Sequence, residues 1–97
     1  MKKRSTAITK RNSIIKENIK EWALKNGFKL DRYGNMKKKI KGDQELRLKF
    51  QSISVRYEIR DSESPNWFLR SSAYLKDVKF NENGTMTIGN RNLVAVL

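Results

Sequence analysis

Between residues 46 and 60 apolar and polar side chains alternate with a single slip. Leu46, Leu48 and Phe50 hold one phase, and Ile53, Val55, Tyr57 and Ile59 hold the other. A period of two marks strand with one buried face. One extra residue near Gln51 and Ser52 restores the alternation, either as a β-bulge that bends one long strand or as a tight turn between two short ones. No Gly, Pro, Asn or Asp stands there, which favours the bulge. The extra residue also decides where the charges go. With it, Arg47, Lys49, Arg56 and Arg60 share one face; in an unbroken strand Lys49 and Arg56 would point to opposite sides.

Upstream the period changes. Ile15, Ile19, Trp22 and Ala23 recur at helical spacing, predicting an amphipathic helix over roughly 12–26 with Ser13 as its N-cap and Gly27 past its C-terminus. Residues 1–11, MKKRSTAITKR, are polar and basic without a sustained period and read as a flexible arm. Beyond the helix the chain reads as strands and turns. In FKLDRYGNMKKKI a three-residue loop of Arg32, Tyr33 and Gly34 sets Leu30 opposite Met36. VKFNENGTMTI repeats the device, its loop of Glu82, Asn83 and Gly84 setting Phe80 against Met86 and Val78 against Ile88. RDSESPN, with the only Pro, reads as a loop, a further irregularity falls between 72 and 77, and the apolar NLVAVL reads as a buried strand. There are no internal repeats. The expected fold is α+β: a basic arm, one helix, and a curved, mainly antiparallel sheet or small barrel of about six strands, with residues 12–97 forming a single domain.

Charge gives this frame a functional direction. Of the 97 residues 22 are Lys or Arg and 10 Asp or Glu, a net +12. The first thirty residues hold +7, the next thirty +5, and the remaining 37 are neutral. A one-sided cationic field attracts polyanions. Alternation places Lys37, Lys39, Lys41, Arg47, Lys49, Arg56 and Arg60 on one sheet face, relieved by Glu58. Lys2, Lys3, Arg4, Lys10 and Arg11 on the arm and Tyr33 at a turn tip join them as candidate contacts. Strands about 4.8 Å apart and same-face residues about 6.6 Å apart match the spacing of phosphates along a nucleic acid. Phe28, Phe50 and Tyr57 fall on the apolar side and Trp22 in the core, leaving no aromatic on the cationic strands and Trp67 unassigned. Such a face suits backbone and shape recognition of duplex DNA or structured RNA better than base stacking.

Catalysis has little to work with. The absence of His and Cys removes the commonest general base, thiol nucleophiles and nearly all zinc chemistry. The five glycines are scattered, so no phosphate loop forms and no cofactor is implied. Asp77-Val78-Lys79 resembles the acidic-x-Lys triplet of PD-(D/E)xK nucleases, which implies a divalent metal and further carboxylates from Glu17, Glu21, Asp31 or Asp61. The expectation is a non-enzymatic nucleic-acid-binding protein, with docking on an acidic protein partner as the alternative and a small nuclease behind it. No segment approaches the length of a membrane span, and MKKRSTAITKRNS has a charged opening with no apolar stretch behind it, so neither export nor membrane insertion is expected. Without cysteines a cytoplasmic setting is expected, and the abundance of Lys, Asn and Ile, all with A/T-rich codons, fits a bacterial, phage or organellar genome, with a phage, plasmid or host accessory protein as the expected role.

Overall fold

The computed structural model describes residues 3–61 and 63–93, and of residues 3–9 and 41 the backbone only. Helix α1 runs Lys3–Lys25, so residues 3–11, expected as an arm, continue the helix. Their sequence has no apolar stripe, but Lys, Arg and Ala are strong helix formers and no Gly or Pro interrupts the segment. Propensity carries the helix where the hydrophobic pattern is silent. The C-terminal end is a Schellman turn: Phe28 N–H donates to the Ala23 carbonyl at 2.9 Å and Gly27 N–H to that of Leu24 at 3.4 Å.

Eight strands follow among the described residues: β1 (Lys29–Leu30), β2 (Met36–Ile40), β3 (Gln44–Phe50), β4 (Ser54–Asp61), β5 (Phe68–Tyr74), β6 (Lys79–Phe80), β7 (Met86–Ile88) and β8 (Arg91–Leu93). β1 to β5 form one antiparallel sheet in chain order and β6 to β8 a second. The fold is α+β with two open sheets, not a closed barrel. Of the C-terminal apolar run, only Asn92 and Leu93 lie within the described residues.

Both expected hairpins form in the expected register. Leu30 faces Met36, and Phe80 faces Met86. In each, the glycine N–H closes the loop, Gly34 on Asp31 at 3.2 Å and Gly84 on Asn81 at 3.1 Å. Gly34 stands at φ 84, a region open to glycine at little cost. The Asp31 side chain stiffens its loop by accepting from the Tyr33 and Asn35 amides at 2.8 and 2.9 Å.

The slip between residues 50 and 53 is a turn, not the expected bulge. β3 and β4 are two antiparallel strands in which Phe50 faces Val55, Leu48 faces Tyr57 and Leu46 faces Ile59. Gln51 N–H donates to the Ser54 carbonyl at 2.9 Å, leaving Ser52 and Ile53 as a two-residue connection, and Ser54 Oγ donates to Gln51 Oε1 at 2.8 Å. Neither connecting residue has positive φ, so the turn forms without the Gly or Asn that usually announces one. The bulge lies elsewhere: the β4–β5 register shifts between Tyr57 and Glu58.

Ile19 and Ala23 of α1 pack with Phe28, Met36, Leu48, Val55, Leu75, Met86, Ile88 and Leu93 into one buried cluster, against which Ile15 and Trp22 lean. Helix and second sheet therefore cover the same apolar face of the large sheet. Trp22 Nε1 donates to the Gly84 carbonyl at 2.8 Å, tying the helix to the second hairpin. Lys38 also points to this face, where its ammonium donates to the Asn26 carbonyl at 2.7 Å at the negative end of the helix. Burial lowers its pKa from the ordinary lysine value.

Candidate nucleic-acid interface

The pairing of β1 to β5 fixes what shares the opposite face, because directly paired residues project to the same side. Three rows cross the strands there. The first is Lys29, Lys37, Arg47, Glu58 and the exposed Leu69; the second is Lys39, Glu45 and Arg60; the third is Lys49, Arg56 and Ser72. Six of the seven cations expected on this face are present. Lys41 is not on the strand: it lies in a 3-10 turn, Lys41–Asp43, where Gly42 and Asp43 both take positive φ and end the alternation. Lys29 takes the seventh place, and with Glu45 and Glu58 the only acidic residues in these rows the face carries +5.

Two rows are internally compensated. Glu58, 4% exposed, accepts from Arg47 Nε at 2.7 Å and from Arg56 Nε at 3.1 Å. Glu45 accepts from Arg60 Nε at 3.0 Å and Nη2 at 2.8 Å. Lys37 approaches Asp31 at 3.8 Å. The third row holds no carboxylate. Lys49 and Arg56 stand directly opposite each other, a like-charge pairing that disfavours the sheet.

The face also carries an aromatic ring that alternation did not place. Trp67 lies over Arg47 and Arg60, its centroid 4.3 and 4.5 Å from their guanidinium carbons, with the Lys37 ammonium 5.8 Å away. These are cation–π distances, worth about 0.5–2 kcal/mol each depending on exposure. Trp67 precedes Phe68, which pairs with Ile59 on the other face. The unpredicted bulge in β5 hid this parity. Lys29 was within reach of sequence reasoning, since the Gly34 loop that sets Leu30 against Met36 also sets Lys29 against Lys37.

The remaining candidates do not join the face. Lys2 lies outside the described residues. Lys3 and Arg4 have helical backbone, and Lys10 and Arg11 are exposed on α1, the element that packs against the apolar side of the sheet. Tyr33 is 75% exposed at its hairpin tip, with Arg32 5.8 Å from its ring centre. Asp77 ends a second 3-10 turn, Leu75–Asp77, and Lys79 opens β6; both line a cleft at the β5 edge. No three acidic side chains among the described residues gather closely enough to hold a metal ion. No helix among the described residues is long and apolar enough to cross a membrane. Comparison with family models, with curated proteins and with solved structures gives no match.

Proposed function

We propose that this chain binds nucleic acid, without acting on it chemically, through the cationic face of the β1–β5 sheet. The observation that supports this reading most is the Lys49–Arg56 row. The sheet neutralises Arg47 and Arg60 with cross-strand carboxylates, yet sets Lys49 directly opposite Arg56, whose carboxylate partner, Glu58, is already shared with Arg47. A polyanion laid across the face removes that repulsion, and the compensated arginines keep further donors for phosphate oxygens. The carboxylates hold the guanidinium groups in place, so the face favours backbone and shape recognition over base reading.

Anisotropy titrations with a blunt DNA duplex, a folded RNA and heparin test this. Nucleic acid binds with micromolar or tighter affinity and more tightly than heparin of equal charge. Equal affinity for all three reduces the interaction to unspecific attraction, and no binding removes the proposal.

A further inference from the structure

The third row of the cationic face leads to an aromatic side chain. Ser72 pairs with Arg56, and Tyr74, two residues further along β5, pairs with Ser54. Tyr74 therefore projects on the cationic side about 6.6 Å beyond the Lys49–Arg56–Ser72 row. It is 56% exposed. Its backbone is nevertheless fixed, because Leu75 is fully buried and its N–H donates to the Ile53 carbonyl at 2.9 Å.

Tyr74 stands between two clefts and lines both. One, of about 400 Å³, is bounded by Arg11, Lys76 and the exposed side chain of Ile53. The other, of about 740 Å³, lies between the two sheets and is bounded by Asp77, Lys79 and the hydroxyls of Ser54, Ser72 and Thr87. An exposed ring with an apolar neighbour and cations on both flanks is what successive unpaired bases need: a π-surface to stack on, and ammonium or guanidinium groups for the phosphates between them. Asp77, an exposed lining residue of the larger cleft, repels phosphate and can accept hydrogen bonds from a base amino group or a sugar hydroxyl, so that cleft favours the base and sugar side of a nucleotide.

We infer that Tyr74 and its flanking clefts seat unpaired nucleotides that continue from a duplex held on the cationic face, so that the preferred ligand is a junction between paired and single-stranded nucleic acid. This inference depends on the nucleic-acid reading and adds to it a residue, Tyr74, and a ligand form.

The test compares three DNA duplexes: one blunt, one with a short thymidine overhang, and one with an abasic overhang of the same length that carries the phosphates without the bases. Wild-type protein binds the thymidine overhang about tenfold more tightly than the abasic one, a difference of the size stacking provides. Tyr74→Ala abolishes that difference and leaves blunt-duplex affinity unchanged; Tyr74→Phe keeps it. Thermal melting of both variants confirms that the fold is retained. Equal affinity of wild type for the two overhangs, or a difference that survives Tyr74→Ala, overturns the inference while blunt-duplex binding keeps the function. Absence of binding to every duplex overturns both.

Discussion

Lys49 and Arg56 are direct cross-strand neighbours. They are seven residues apart, an odd separation that in one continuous strand would put them on opposite faces. They share a face because the chain reverses between them. In a hairpin whose connection has an even number of residues, positions of opposite parity oppose each other, so Leu48 meets Tyr57 and Phe50 meets Val55. The phase slip in the sequence is the mark of that reversal, and the same geometry forces the two cations together.

That geometry separates stability from binding at adjacent positions. Val55 is fully buried and Arg56 is partly exposed. Val55→Ala removes buried methyl groups and costs about 1–3 kcal/mol in a denaturant melt. Arg56→Ala costs less than about 1 kcal/mol, because Glu58 keeps Arg47 as a partner.

Much of this arrangement is legible in the sequence. The loops closed by Gly34 and Gly84, the Ile15, Ile19 and Trp22 face of the helix, and six cations of one sheet face follow from periodicity and turn chemistry. What escaped had no local signal. Ser52 and Ile53 make a turn at negative φ with none of the usual turn residues, so a bulge looked cheaper than a reversal. The real bulge, opposite Tyr57 and Glu58, sits in a strand whose polar and apolar residues do not alternate cleanly, and it concealed the placement of Trp67. The Glu45–Arg60 pairing depends on the register across the unrecognised hairpin. Tyr74 gains meaning only through the clefts on either side, which form between segments distant in sequence.

Glu58 is the carboxylate on which the compensated row depends. Glu58→Gln keeps the shape but leaves Arg47 and Arg56 without their anion, and costs about 2 kcal/mol. It also raises the charge of the face by one. The expected outcome is opposite signs: a lower melting temperature with tighter duplex binding at low salt. Tighter binding does not follow if the face is only a solubilising surface.

Two glycines at positive φ respond differently to a methyl group. A Cβ at Gly34 meets nothing within 4 Å, whereas one at Gly89 falls 2.7 Å from the Ser72 carbonyl oxygen, where the second sheet meets β5. Gly34→Ala costs about 1 kcal/mol, the backbone penalty alone. Gly89→Ala adds a clash against backbone and costs roughly 3 kcal/mol or more. Urea unfolding of the two variants checks the difference, and equal destabilisation contradicts the close approach of the sheets.

Tyr57 gives the fold a dependence on alkaline pH. Burial raises its pKa above the ordinary value of 10.0, and the charges of Arg70 and Arg91 oppose the shift only in part. Above that ordinary value the unfolded chain loses the phenolic proton before the folded one, so the folded state binds more protons and stability falls as pH rises. Tyr57→Phe removes this contribution. Denaturant melts of wild type and variant on either side of pH 10 show the wild type losing more stability than Tyr57→Phe; parallel losses contradict it.

The most direct measurement of the central claim is the salt dependence of blunt-duplex affinity for wild type and the Lys49→Ala, Arg56→Ala double variant. If about six of the face's cations meet phosphates, log affinity falls against log salt with a slope of about −5. Removing two contacts makes the slope shallower by about two units and weakens binding at low salt, while the melting temperature changes little. An unchanged slope at unchanged affinity contradicts the account, because the duplex would then lie on some other surface of the protein.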